Sequence, residues 1–450
     1  MDEIDLLRNI VSRLDSAQLA PGVVTSTHLN ELPFLKAKLS VSGEMIGIRK
    51  EAGEFAYDLA DKIFADSSFY RRGTTFDALF NELSDIIIES FWGQSIDRID
   101  ASDVAFVEAR TEDWFRAHAT THRLYVPCIL SPRPAPSFNV GPISFRHIDD
   151  FAAQECPVVG EFFDTAFKRV FETMAQRSAA WMATVEVHFS TKERAWELGE
   201  LAVDIALAGI QLVVPISYSQ NMARTTARTI PRLREMVSFS DGVVSTGGSN
   251  QQPGLAMGQG LFEAYLTQGN GVIKAVGPRV STFLSGSGPL PTLEQAWADA
   301  AYWFHEGLAE PLDTIAVPKL ETAIEVLLRA ESSTGSERRL LHAIRTFYGL
   351  KSDQFINPQS HITVKQFAKG FVRDRSRILH GTRSTLASHL RDSRPSLTVL
   401  VHGLLANYVL ELDHYASTPG VSDRLDDFLT WVENRREVPV IATSGAPAQS

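Results

Sequence analysis

The stretch RDRSRILHG, Arg373 to Gly381, gathers the side chains of this sequence best suited to chemistry: three arginines at alternate positions, a serine, a histidine and a glycine. An arginine stays charged at any usable pH and offers a planar fork of donors to carboxylate or phosphate. A histidine changes charge near neutrality. Three settings fit such a run: a solvated helix end, a buried ion pair, or a site that handles phosphate.

A helix must position these groups. Thr363 and Gln366 have capping-box spacing, which predicts a helix starting near Val364. Gly381 suits a left-handed C-terminal cap and ends it near His380. At about 100° per residue, Val364, Phe367, Ala368, Phe371, Val372, Ile378 and Leu379 fall on one side, a core-facing stripe. Lys365, Lys369, Arg373, Ser376, Arg377 and His380 fall on the other. Arg375 lies inside the apolar stripe. A guanidinium there needs either a buried carboxylate, for which Glu321 and Glu325 on the preceding helix are placed, or a cleft where an anion or water completes its hydrogen bonds. From Thr363 to Pro395 eight Lys or Arg stand against two acids, a local charge of +6 in a chain of −11. A basic island attracts phosphate. It also complements the C-terminal end of a helix dipole.

The rest of the chain narrows the chemistry. A net charge of −11 argues against broad, non-specific binding to nucleic acid or an anionic membrane. Two cysteines, Cys128 and Cys156, form no C-x-x-C pair and read as structural thiols, consistent with a reducing cytoplasm. The opening MDEIDLLRNIVSRLDS is acidic and amphipathic, unlike a signal peptide, and no apolar run reaches the roughly 18 residues of a membrane span. The Gly-rich stretch SDGVVSTGGSNQQPGLAMGQG lacks the order and the lysine of a phosphate loop. There is no G-x-S-x-G, and Leu308 and Ala309 stand where an H-E-x-x-H begun by His305 and Glu306 needs its second histidine. No Cys/His/Asp cluster has metal-ligand spacing, and Asp149–Asp150 and Asp426–Asp427 read as surface pairs.

The elements divide into three regions and a tail, an α+β chain. Residues 1–118 read mostly as helix, although DVAFVEART carries strand signals. Residues 119–290 read as mixed α/β. Strands are expected at THRLYVPCILSP, SFNVGPISFRHI and WMATVEVHFS, a helix at TKERAWELGELAVDIALAGIQLVV, and turns with a mobile loop over 240–260. SGSGPLP reads as a linker. Residues 291–438 read as six helices with short connections, an all-α bundle, and 439–450 as a disordered tail.

R-S-R-I-L-H-G, residues 375–381, resembles the R-x(4–6)-H motif of the HEPN superfamily: Arg375, the polar Ser376, three residues, then His380. Gly381 is similar to the "HG" ending of the Apea-like branch. A helix before the motif (ETAIEVLLRA), a FYGLKS turn and a long apolar helix after it extend the resemblance over about residues 290–435. The resemblance implies a metal-independent endoribonuclease without cofactor, a toxin or anti-phage effector held in check by residues 1–290, which would sense a phage or cellular trigger. It gives Arg375 the scissile phosphate, His380 the proton transfer and Ser376 an orienting role. Arg373, Arg377, Lys369 and Arg383 would bind the backbone of single-stranded or loop RNA, transfer RNA included. On an ideal helix Arg375 and His380 stand about 140° apart. Arg373, which satisfies the x6 spacing, shares a face with His380. Either the last turn loosens, or two subunits pack motif to motif as a homodimer. The alternative is a non-catalytic HEPN module that binds a nucleotide or a protein partner. Asn407 and Tyr408 are placed to support the site, whereas His389, His402 and His414 read as satisfied or solvated.

Overall fold

The computed structural model describes residues 1–18, 33–39, 44–159, 161–227, 233–330, 332–356, 361–379, 384 and 393–437. The fold is α+β: the strands all precede residue 251, and every described element after it is helical. Contacts divide the chain into two units, Met1–Arg123 with Glu186–Leu198, and Leu124–Val185 with Gly199–Ser450.

In the first unit, α1 (Glu3–Val11) starts at Asp2, whose carboxylate accepts the Asp5 N–H at 2.8 Å. Strands β1 (Leu14–Gln18), β2 (Phe34–Leu39) and β3 (Glu44–Arg49) form an antiparallel sheet in the order β1-β3-β2. Helices α2 (Gly53–Asp66), α3 (Ser68–Gly73), α4 (Phe76–Phe91) and α5 (Ala101–His118) complete it. Leu6, Ile10, Ile48, Leu59, Leu83, Ile87 and Phe115 are among its core side chains. The region is mostly helical, as its periodicity predicts, and the sheet is an addition to that reading. Its strands are six residues or fewer, too short to raise a period-2 signal above the flanking helices. DVAFVEART is corrected, from strand to α5. A capping box joins Asp100 and Asp103, and the buried Val104, Val107, Thr111 and Phe115 follow at intervals of three and four. β-propensity yields there to helical periodicity.

The chain passes between the units inside β4 (Thr120–Ile129), β7 (Trp181–Ser190) and α8 (Lys192–Gln211). With β5 (Phe138–Val140), β6 (Ile143–His147) and β8 (Ala223–Arg224), β4 and β7 build a sheet in the order β5-β6-β7-β4-β8. Helices α6 (Ile148–Val159) and α7 (Glu161–Gln176) cross between β6 and β7, and the short α9 (Ile216–Ser219) follows α8. The three expected strand segments and the expected helix all occur here. The loop expected over 240–260 occurs only at 251–260. Strands β9 (Leu233–Ser240) and β10 (Val243–Asn250) pair as a hairpin turning at Asp241-Gly242, both at positive φ. Asp-Gly between two strands is the strongest short hairpin signal, and here Gly and Ser enrichment hid it. Met236, Val237, Phe239, Val243 and Val244 stand exposed on this hairpin. Helices α10 (Leu261–Gln268) and α11 (Asn270–Ser285) follow. Gly277 and Pro278 lie inside α11 and mask it in sequence. Gly277 serves close approach: a Cβ there would come within 3.0 Å of the Gly141 Cα in the β5–β6 turn.

The six C-terminal helices appear where the periodicity places them: α12 (Pro291–Ala309), α13 (Asp313–Leu327), α14 (Ser333–Tyr348), α15 (Val364–Leu379), α16 (Ser393–Ala416) and α17 (Leu425–Glu437). Over Arg394–Ala416, α16 is long and apolar enough to cross a membrane by length and composition. In the bundle it buries Val401, Leu404, Leu405, Tyr408 and Leu412, and it packs on α11, α12, α13, α14 and α17. The boundary drawn at residue 290 falls inside the second unit. The fully buried Arg279 of α11 donates to Asp413 of α16 at 2.7 Å and lies 3.8 Å from Glu294 of α12. Asp423 accepts the Thr292 and Leu293 N–H groups at 2.7 and 3.0 Å, capping α12 from a distant loop. The tail 439–450 lies outside the described residues.

Candidate functional site

Helix α15 starts as its sequence requires. The Thr363 N–H donates to Gln366 Oε1 at 2.9 Å and the Gln366 N–H to Thr363 Oγ1 at 3.2 Å, a reciprocal capping box. Val364, Ala368 and Ile378 are buried where α15 packs on α13 and α14. Lys365, Lys369, Arg373 and Arg377 are exposed on the opposite face. Lys369, Arg373 and Arg377 follow at four-residue spacing, one turn apart, and neither Lys369 nor Arg373 pairs with a described carboxylate. His380, Gly381, Arg383 and His389 lie outside the described residues.

Arg375 occupies the position its angle predicts, at the edge of the packed face with 27% of its side chain exposed. Its Nη1 donates to Glu325 Oε1 of α13 at 2.7 Å and stands 2.6 Å from Oε2. Ser336 Oγ of α14 donates to the same Oε1 at 2.6 Å. Of the settings open to this arginine, the structure has the ion pair, with one of the two carboxylates named from the sequence. The pair is incomplete. Arg375 Nε is buried without a hydrogen-bond partner among the described residues, and Nη2 makes no hydrogen bond to any of them. Ser376 is half-buried and makes no hydrogen bond to a described residue. Tyr408 packs its ring against Phe347 and Phe428 in the bundle core, and Asn407 donates to Gly403 O within its own helix, so both side chains are committed to the bundle. Glu325→Ala should cost about 1.5–3 kcal/mol in denaturant unfolding, because it strands a half-buried guanidinium. The double variant Glu325→Leu/Arg375→Met should cost less than that single change. A loss below about 0.5 kcal/mol for Glu325→Ala would mean that solvent screening governs the pair.

Two further polar groupings were not marked by the sequence. A groove of about 1240 Å³ runs beside α14 and α17, lined by His342, Arg345, Lys351, Asp353, Glu433 and Arg436 among others. Its floor includes the FYGLKS turn. Past that turn, Val364 N–H donates to Gln354 O at 2.9 Å and Lys365 N–H to Ser352 O at 3.0 Å, so the groove and the start of α15 share one wall.

The second grouping is buried among α8, β8 and α12. Arg224 Nε lies 3.0 Å from both oxygens of Asp204, and Nη1 reaches Glu200 at 2.8 Å. Gln211 Nε2 donates to Ser219 O at 2.8 Å, so its Oε1 accepts from His305 Nδ1 at 2.9 Å. That leaves His305 Nε2 unprotonated, 3.7 Å from Asp204 Oδ1. Burial holds the His305 pKa below its ordinary value, against the pull of Asp204. Burial also pushes the Asp204 carboxyl up, against His305 and Arg224. With both side chains 2% exposed, the cluster is a strut rather than a site open to substrate.

Its titration has a consequence for stability. The unfolded chain protonates this histidine as pH falls through 6.5, whereas the folded chain resists to lower pH. The His305 contribution is therefore complete above 6.5 and is lost as pH falls toward the folded value. Asp204 works in the opposite sense, so the isolating measurement compares wild type with His305→Gln. Melting temperature should fall less steeply from pH ~6.5 to ~5 in the variant. Equal slopes would remove His305 as the cause.

Among the described residues no three His, Cys, Asp or Glu side chains converge on a point that could hold a metal ion. No family model, no curated protein and no solved structure matches this chain.

Proposed function

We propose that the C-terminal bundle is a metal-independent endoribonuclease of HEPN type, acting in the cytoplasm as a toxin or anti-phage effector. The observation that carries this reading is the exposed row Lys369, Arg373, Arg377 on α15, which leads in sequence to His380. Three cations at one-turn intervals match a phosphodiester backbone. In the proposed reaction the substrate's 2′-hydroxyl attacks phosphorus and loses its proton to a neutral His380. The 5′-oxygen leaves with the proton that His380 returns, and the products are a 2′,3′-cyclic phosphate and a 5′-hydroxyl. Arg373, Arg377 and the donors of Arg375 that Glu325 does not take stabilise the charge that builds on the phosphoryl oxygens. Glu325 fixes Arg375 in place, and Ser376 beside it orients the phosphate. Arg383 extends the basic surface. The substrate is single-stranded or loop RNA, transfer RNA included.

Two chains form the active species in this reading, their motif segments facing each other, because Arg375 and His380 stand about 140° apart on an ideal helix. Scattering that shows a monomer at micromolar concentration with undiminished activity would refute the homodimer. Residues 1–290 gate the activity by sensing a phage or cellular trigger. The direct test is end-group mapping of total RNA incubated with the protein in EDTA. Cyclic phosphate and 5′-hydroxyl ends are expected, with DNA inert.

The Arg375–Glu325 ion pair favours a second reading, in which the arginine only braces α13 against α15 and the bundle binds a nucleotide or a protein partner without cleaving. In that case His380→Ala changes little.

A further inference from the structure

A cavity of about 320 Å³ opens in the first unit among α2, α3, α5 and Phe189 of β7. That volume is at the lower end of the range for small-molecule sites. Its walls are aromatic. Tyr70 and Phe115 meet edge to face with centroids 5.3 Å apart, Phe115 and Phe189 at 5.4 Å, and Phe69 and Phe189 at 6.1 Å. Phe69 and Phe189 are 65% and 51% exposed, so two large rings are left to solvent at its mouth. Phe189 is held at φ 54°, a left-handed conformation that costs a bulky residue energy and tends to persist at working sites. The rim is acidic: Asp66, Glu108 and Glu112 line it, with Arg116 bound to Glu112 at 2.5 Å. Tyr70 is 8% exposed, and its hydroxyl makes no hydrogen bond to any described residue.

We propose that this cavity binds a small organic cation of guanidinium type. Aromatic faces attract a cation, a planar guanidinium stacks on them, and rim carboxylates receive its N–H groups. The surroundings favour the same charge, since this unit carries 24 Asp or Glu against 15 Lys or Arg. Burial, then Glu3 and Asp66, push the Glu108 carboxyl up, and a bound cation would favour its charged form.

The test is calorimetric titration of the full chain with argininamide and with citrullinamide, which differs only in an uncharged ureido group in place of the guanidinium. Argininamide should bind, with citrullinamide roughly tenfold weaker or worse. Glu108→Gln, at the exposed rim, should weaken argininamide and leave citrullinamide alone. Phe189→Gly removes a ring and the backbone strain together, so it should abolish binding without lowering the melting temperature. Equal affinity for the two probes, no binding of argininamide up to about 10 mM, or unchanged binding in Phe189→Gly would each overturn the proposal.

Discussion

His380→Ala is expected to lose about 10²–10⁴-fold of the RNA-cleaving rate while the chain stays folded. The size follows from the work assigned to that side chain: a histidine is the one group in the motif that can take and return a proton near neutrality. Arginines can hold and stabilise phosphate, but they cannot exchange protons at any usable pH. Arg375→Ala should lose a comparable amount, and Arg375→Lys should rescue poorly. An ammonium cannot hold Glu325 with one arm of a planar fork and keep the other for phosphate. End-group mapping and initial rates in EDTA, for wild type and the three variants, provide the check. Cleavage that persists in His380→Ala, requires Mg²⁺ or leaves 5′-phosphates would transfer weight to the non-catalytic reading. So would an Arg375→Ala variant that loses stability and nothing else.

Asp204→Ala is expected to lower unfolding free energy by about 3 kcal/mol. The carboxylate is 2% exposed and accepts from Arg224 Nε at 3.0 Å through both oxygens. Truncation would leave the guanidinium, only 14% exposed, with Glu200 and Thr226 alone. It would also open a space beside His305. Asp204→Leu combined with Arg224→Met should recover part of the loss, because the penalty belongs to the unpaired charge rather than to the missing attraction. Denaturant midpoints read this directly. A single variant within about 0.5 kcal/mol of wild type would mean that water reaches Arg224 freely. RNA cleavage, if limited to the C-terminal motif, should follow stability in these variants and nothing further.

Several elements were legible because their signals are local. The capping box of Thr363 and Gln366, the apolar stripe of α15 and the spacing of the other bundle helices depend only on neighbours three and four residues apart. The angular outlier Arg375 was legible for the same reason, and so was the shortlist of its partners, since Glu321 and Glu325 lie on one face of α13. The motif, its charge and its order are properties of the sequence alone. Which carboxylate Arg375 takes was decided by how α13, α14 and α15 pack, because Ser336 of a third helix holds Glu325 in place. The first sheet escaped notice because short strands gain their stability from partners distant in sequence, which no window of neighbours contains. Helix α11 was hidden by Gly277 and Pro278, residues that weaken an isolated helix and are tolerated here because Gly141 packs against the glycine. The Asp204–Arg224–His305 cluster and the aromatic cavity join residues tens of positions apart, so neither could exist as a pattern before the chain had folded. Local spacing reaches as far as one helical face or one turn. Burial, ion pairing and cavities are made by closing loops across the whole chain, and those were settled by the tertiary structure.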